Sequence, residues 1–385
     1  MLKGIKVKIY PTKVQESYIN DLLGSYRFVY NKCLEKKIEA YANEAKSLGL
    51  KDLGNFFHQD LTKREDLAWL TKHNTHCIKQ AVIDLLDAYK RFFINNNGFP
   101  KFKSKKDIQS CRFPATGISK KTFKNNRVNL VKQLKGLRYR CSPNYKKILS
   151  ENNGKIKSAT LSKDKTGTFW ISFLVDVEIE KLPEPKHSSV GLDLGINSFI
   201  TTSRAEKIDN LRSIRNNEKK LKRLNQNLSR TVKGSANREK ARLRLAKFHK
   251  KLSNKKNTYI HQNTKKIVRE NQTICIEDLN VTSMMKNHSL ARSIQELSLY
   301  ETKRQLEYKS RFYDRNLIKI DRFYPSSQIC SRCGCRNTDL KLSDRVYICK
   351  ECGFEIDRDE NAAKNIEAEG FRISKLVGSY CSEFK

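Results

Sequence analysis

A chain of 385 residues can hold two or three domains with a sizeable core. Its 78 lysines and arginines against 41 acids give a formal net charge of +37, an excess that asks for a polyanionic partner and favours nucleic acid. No apolar run approaches the length that crosses a bilayer, the opening MLKGIKVKIYP lacks the apolar stretch of a signal peptide, and the odd number of cysteines, eleven, fits a reducing cytoplasm better than a disulfide framework.

In chain order, Ile5, Val7 and Ile9 alternate with Lys6 and Lys8, the pattern of a half-buried strand with a basic outer face. Pro11 breaks it, and Thr12-x-x-Gln15 has the form of a capping box. Val14, Tyr18, Leu22, Tyr26, Val29, Tyr30 and Leu34 follow at helical spacing, and a second helical stretch runs from Thr75 to Ile94 with Ile78, Val82, Leu85, Leu86, Tyr89 and Phe93 as its apolar face. Residues 1–94 thus read as a strand and a small helical bundle. Lys101 to Lys106 is basic with Phe102 interleaved, which suits phosphate contacts plus a ring, or a solvated loop. From Cys111 to Glu180 the segments are short and strand-like, clearest at Thr168 to Val177, with turns at Asn152-Asn153-Gly154 and Lys165-Thr166-Gly167. They predict a small β unit, a barrel completed by the N-terminal strand, ending at Pro183-Glu184-Pro185.

Ser189 to Asn197 predicts a strand and turn, with Phe199 to Thr202 as the next strand. Asp193 falls in an otherwise apolar strand, where an unpaired carboxylate is costly. Gly191 and Gly195 flank it and leave room for a substrate backbone. Between residues 211 and 269 there are 20 lysines and arginines against two glutamates. Leucines there recur near helical spacing and predict two long basic helices with a break at Val232 to Ser235, a surface for nucleic acid. Thr273 to Val281 predicts a buried strand with Glu277 at its carboxyl end, Leu297 to Arg311 a helix, and Leu317 to Ile320 another strand.

Two Cys-x-x-Cys pairs follow, Cys330/Cys333 and Cys349/Cys352, fifteen residues apart. That spacing suits a four-thiolate zinc site, closed and structural, with Cys335 as an alternative ligand. Gly334 and Gly353 stand where each knuckle needs a residue tolerant of positive φ. The run Asp357-Arg358-Asp359-Glu360-Asn361 then opens a helix. An acid at a helix start is ordinarily a cap, but Asp193 and Glu277 upstream give it a second reading. Three carboxylates around divalent cations are what metal-dependent phosphodiester hydrolysis needs: Mg2+, two ions in such sites, prefers hard oxygen ligands.

The blocks GLDLGINSF, ICIEDLNV and YPSSQICSRCG…CKECGFEIDRDENAAKNI, with IYPTKVQESYINDLLGSYRFVYNKCL and GFPKFKSKK before them, resemble the TnpB family of transposon-encoded proteins, relatives of the small type V CRISPR effectors, over nearly the whole chain. The resemblance implies an α/β plus α+β multidomain chain. An RNase H-like (RuvC) nuclease domain with an inserted zinc ribbon would follow a β-barrel wedge domain carrying a helical insert. The expected bounds are 1–12 and 95–185 for the wedge, 13–94 for the helical recognition insert, 186–325 for the nuclease, 326–356 for the ribbon, and 357–385 for the last nuclease segment and tail. It implies an RNA-guided DNA endonuclease, cytoplasmic and nucleoid-associated, whose partners are a transposon-derived guide RNA, a DNA target with a short adjacent motif, and a separate transposase encoded nearby. Asp193, Glu277 and Asp359 match the catalytic, magnesium-binding acids, with Asp357 the alternative third; Cys330, Cys333, Cys349 and Cys352 match the zinc ligands. Asp278 is expected to support the strand end. The rival functions are a DNA-joining transposase, a guide-dependent regulator without cleavage, and a bare zinc-ribbon DNA-binding protein, which would leave Asp193 and Glu277 unexplained.

Overall fold

The structure, a computed structural model, describes residues 1–95, 97–118, 123–124, 126–151, 155–178, 182–341 and 343–382. The turn expected at Asn152 to Gly154 lies outside them. The chain divides into two compact units, Met1–Glu178 and Ile179–Lys385. Among the described residues no helix is long and apolar enough to cross a membrane.

The first unit is built on β1 (Leu2–Tyr10), which buries Ile5, Val7 and Ile9 and turns Lys6 outward over the Trp170 ring. The capping box forms as expected: Thr12 Oγ1 accepts from the Gln15 amide and Gln15 Oε1 from the Thr12 amide, opening α1 (Lys13–Glu44). α2 (Leu50–Asn55) and α3 (Thr75–Asn95) follow, with a π-helical turn at Phe56–Leu61 and a 3-10 segment at Glu65–Lys72 between them. Leu22, Tyr26, Val29, Ile78, Val82 and Leu85 form their core. Val14 and Phe93, expected on apolar faces, are 81% and 72% exposed, because each lies near a helix end that the neighbouring elements do not cover. Lys103 stacks 3.9 Å above the Tyr30 ring, while Phe102 is exposed.

The strands β2 (Gln109–Pro114), β3 (Phe123–Lys124), β4 (Arg127–Val128), β5 (Leu137–Arg140), β6 (Ile156–Lys163) and β7 (Phe169–Asp176) join β1 in an antiparallel sheet ordered β2-β6-β7-β1-β5-β4-β3. α4 (Pro143–Glu151) lies between β5 and β6. Gly167, at φ +75°, makes the β6–β7 turn.

The second unit carries a five-stranded sheet ordered β10-β9-β8-β11-β12. β8 (His187–Asp193) pairs antiparallel with β9 (Ser198–Thr202), and β9 with β10 (Lys207–Asp209). β11 (Asn271–Glu277) lies parallel to β8 and to β12 (Asn316–Ile320). The basic segment forms α5 (Glu218–Ser229) and α6 (Ala236–Glu270), broken by the expected turn, where Gly234 has φ +88°. α7 (Val281–Met284), α8 (His288–Leu297) and α9 (Leu299–Phe312) follow. The sequence pattern predicts α9 alone among these three, and Ser298, at φ +52°, separates it from α8. One sheet face packs Val190, Leu192, Ile274 and Ile276 against Ile260, Ile267, Val268, Ile294 and Leu306 of these helices. β13 (Val346–Ile348) and β14 (Glu355–Asp357) form a hairpin beside the cysteines, and α10 (Arg358–Ser382) returns across the other sheet face.

Candidate active site

β8 and β11 run parallel, with Cys275 opposite Gly191 and Ile276 opposite Leu192. Continuing that register sets Glu277 beside Asp193 at the carboxyl ends of both strands. Side chains alternate along a strand. Since Val190, Leu192, Ile274 and Ile276 enter the helical core, Gly191, Asp193, Cys275 and Glu277 face α10. A Cβ on Gly191 would overlap the Ala363 carbonyl oxygen and lie 2.7 Å from the Glu367 amide nitrogen; one on Gly370 would overlap the Cys275 sulfur. The two glycines therefore let α10 lie flat on the sheet. This corrects the expectation for Gly191: the space beside its Cα is filled by α10 and does not admit substrate. One turn ahead of Ala363, the first turn of α10 carries Asp359.

Glu277 and Asp359 both act on Asp193. The Asp193 carboxyl is pushed up to about 7, first by burial, then by the charges of Glu277 and Asp359, with Arg358 opposing and Asp357 adding. Burial also raises Glu277, against a hydrogen bond that Ser326 Oγ donates to its Oε1 at 2.6 Å. A carboxylate whose proton affinity is raised by two neighbouring carboxylates is stabilised as the anion by a bound cation, so the set fits a divalent ion.

The neighbouring acids are occupied otherwise. Asp357 Oδ1 accepts from the amides of Asp359 and Glu360, both at 3.1 Å, which makes Asp357 the cap of α10. Its Oδ2 receives Lys207 of β10 at 2.7 Å. Burial works to raise its pKa, yet Lys207 and the helix amides hold it below the ordinary carboxylate range. Asp278 is likewise held low by a hydrogen bond from Lys303, with Arg322 3.5 Å away.

Cys330, Cys333, Cys349 and Cys352 bring their sulfurs within 4.8 Å of one another, and Cys335 lies outside the group. Gly334 and Gly353 take φ +82° and +66° at the two knuckles. The carboxylates are not gathered this tightly. Sequence reasoning missed the side chains that join the two centres. Asn361 and Asn365, one turn apart on α10 and both buried, donate to the Ile329 carbonyl at 2.6 and 2.7 Å, and Asn365 also to the Ser326 carbonyl at 2.7 Å. Asn361 Oδ1 accepts from the Ser331 amide at 3.0 Å. Arg358 donates to the Lys341 carbonyl at 2.8 Å, and the Asn197 amide oxygen, oriented by its hydrogen bonding, accepts from Arg345 at 2.6 Å. The four-residue spacing of the two asparagines was the available signal that one helix face grips something polar.

Family descriptions match most of this architecture: "Probable transposase" over residues 172–288, "Cas12f1-like, TNB domain" over 300–366, and "Helix-turn-helix domain" over 1–46. A Streptomyces pristinaespiralis protein named "Putative RNA-guided DNA endonuclease" is 34% identical over 373 residues, 97% of this chain and 90% of the relative. The chain belongs to the TnpB family. "Putative RNA-guided DNA endonuclease InsQ" of Escherichia coli K12 is 30% identical over 97% of the chain and 93% of its own length. A solved structure, "Cryo-EM structure of the Cas12f1-sgRNA-target DNA complex", matches in fold with a TM-score of 0.59 at 15% identity, over 92% of this chain and 83% of the other. The helix-turn-helix match covers, in this TnpB chain, a strand and one uninterrupted 32-residue helix.

Proposed function

We propose that this TnpB-family protein is an RNA-guided, metal-dependent DNA endonuclease, with Asp193, Glu277 and Asp359 as its catalytic carboxylates. The observation that carries the reading is the meeting of Asp193 and Glu277 at adjacent parallel strand ends under the first turn of α10, where each of the other two acids raises Asp193. The relatives' names, over nearly the full chain, support the substrate and the guide. The strand order β10-β9-β8-β11-β12, with three antiparallel strands and two parallel additions, supports an RNase H-like nuclease core. The seven-stranded sheet is assigned as the wedge-type barrel and α1 to α3 as its helical recognition insert, on the bounds expected from the sequence.

The three acids would hold Mg2+ together with the scissile phosphate. Bound there, the ions supply an activated water and stabilise the leaving oxygen. The protein's own part is positional. The β8–β11 register sets the first two acids side by side, Asp357 and Lys207 fix the start of α10, and the glycine contacts set its height above the sheet. The cysteine quartet fits zinc. A metal–sulfur bond of about 2.3 Å gives tetrahedral edges of about 3.8 Å, and Cys330–Cys352 and Cys333–Cys349 stand 3.8 and 3.5 Å apart. α5 and α6 supply cations for RNA and DNA backbones, while base pairing with the guide supplies specificity.

The test uses protein purified with RNA expressed from its own locus, Mg2+, and a plasmid carrying the matching target beside a randomised flank. Linear plasmid with wild type but not with Asp193→Ala, dependent on RNA and flank, supports the reading. Bound RNA with intact plasmid points to a regulator, and joined DNA without RNA to a transposase.

A further inference from the structure

We propose that Ser326 is the positioning residue for Glu277, and that the cysteine quartet reaches the catalytic centre through it. The inference rests on the reading of Glu277 as a catalytic carboxylate. Ser326 is 6% exposed, and its hydroxyl donates to Glu277 Oε1 at 2.6 Å, leaving Oε2 for a cation. A glutamate at a strand end has rotatable bonds that the strand does not fix. This hydrogen bond sets the plane of the carboxylate.

The serine is held as firmly as it holds. Its amide donates to the Tyr324 carbonyl at 2.8 Å, and its carbonyl accepts from Asn365 at 2.7 Å. Asn365 also binds the Ile329 carbonyl, which Asn361 shares, and Asn361 binds the amide of Ser331, between Cys330 and Cys333. An unbroken chain of part-buried and buried hydrogen bonds therefore runs from the first knuckle, over one face of α10, to Glu277. The same helix carries Asp359. The knuckle thus sets two of the three acids, one through the helix and one through the serine. A serine that merely satisfied a buried carboxylate would need neither asparagine. A metal ligand's hydrogen-bond partner, when removed, typically costs about ten- to a hundredfold in metal affinity or activity.

The experiment uses the guide-RNA complex. Ser326→Ala should lower cleavage about tenfold or more and raise the Mg2+ concentration for half-maximal rate, with guide and target binding and the unfolding temperature unchanged. Ser326→Thr, which keeps the hydroxyl, should recover most of the rate. Mn2+ binding followed by electron paramagnetic resonance separates positioning from folding: Ser326→Ala should weaken it in the wild-type background and add nothing in Glu277→Gln. Equal weakening in both backgrounds, or wild-type cleavage and Mg2+ dependence in Ser326→Ala, overturns the proposal. Wild-type cleavage by Glu277→Gln alone would overturn the reading of Glu277 first, and the proposal with it.

Discussion

Replacing Asp193 with asparagine should stabilise the metal-free protein while ending its chemistry. The folded carboxyl is pushed up to about 7 from an ordinary 3.8, because it is largely withdrawn from solvent and faces the charges of Glu277 and Asp359. The folded state therefore holds this proton more tightly than the unfolded chain does. Between about pH 4 and 7 the folded state binds more protons, so stability falls as pH rises through that window and the deficit is complete above it. About three units at ~1.4 kcal/mol each set a ceiling of about 4 kcal/mol. Asparagine carries no charge and keeps the shape, so Asp193→Asn should gain up to that amount at pH 8 and almost nothing at pH 4. Urea unfolding in the presence of a chelator, at both pH values, measures the difference. Mg2+ should then reverse the order, stabilising wild type by binding the folded state and leaving Asp193→Asn nearly unmoved. Equal stability of the two proteins at pH 8, or equal stabilisation of both by Mg2+, would refute the argument that these carboxylates form one cation site.

Gly191→Ala should cost about 1–3 kcal/mol, since its Cβ meets backbone of α10 that cannot step aside. Thermal unfolding of the second unit should fall by about 2–4 °C per kcal/mol, and cleavage should drop about a hundredfold if Asp359 moves by an ångström; Gly4→Ala, with open space around it, is the control, and an unchanged Gly191→Ala would show that α10 is not seated by this glycine. Cys349→Ser should lose bound metal by elemental analysis together with cleavage, and wild-type cleavage in metal-stripped protein would remove the cysteines from the argument. Lys240, Arg244, Lys247, Lys251 and Lys255 form an exposed stripe of ~22 Å along α6. Changing all five to glutamine should reduce the salt dependence of nucleic-acid binding by about 0.9 in log–log slope for each phosphate no longer neutralised, whereas an unaltered slope excludes this face.

Much of the site was legible because it depends on local pattern. An acid inside an otherwise apolar strand marked Asp193, an acid at the end of a buried strand marked Glu277, and two Cys-x-x-Cys pairs marked a quartet at a spacing that chance rarely gives. The cap and the third acid were separable only in part. Asp357 and Asp359 both begin a helix, and what distinguishes them is Lys207, 150 residues away, together with the helix amides. The hydroxyl on Glu277 comes from 49 residues downstream, and the backbone beside Gly191 from a helix more than 170 residues on. No periodicity encodes such pairings. The helical period likewise names an apolar stripe without saying where the core stops, which is why it places the exposed Val14 and Phe93 inside.

The place of the cysteine hairpin in the chain has a physical consequence. β11 ends at Glu277, β12 ends at Ile320, and the chain reaches α10 only after the whole hairpin has formed. An active site assembled from strand ends alone would need nothing from that insertion. Here the third acid lies beyond it, and α10 is fixed at its start by Asp357 and Lys207 and along its length by Gly191, Gly370, Asn361 and Asn365. Loss of the metal-binding knuckle would free Ile329 and Ser331, the partners of both asparagines, and so loosen Glu277 and Asp359 at once while leaving the β8–β11 ladder intact. Nuclease activity should therefore fail before the second unit unfolds. In a chelator titration followed by cleavage and by amide hydrogen exchange, protection should vanish first in residues 326–365 and persist in β8 and β11; simultaneous loss in both would show that the hairpin supports the whole sheet and not the site in particular.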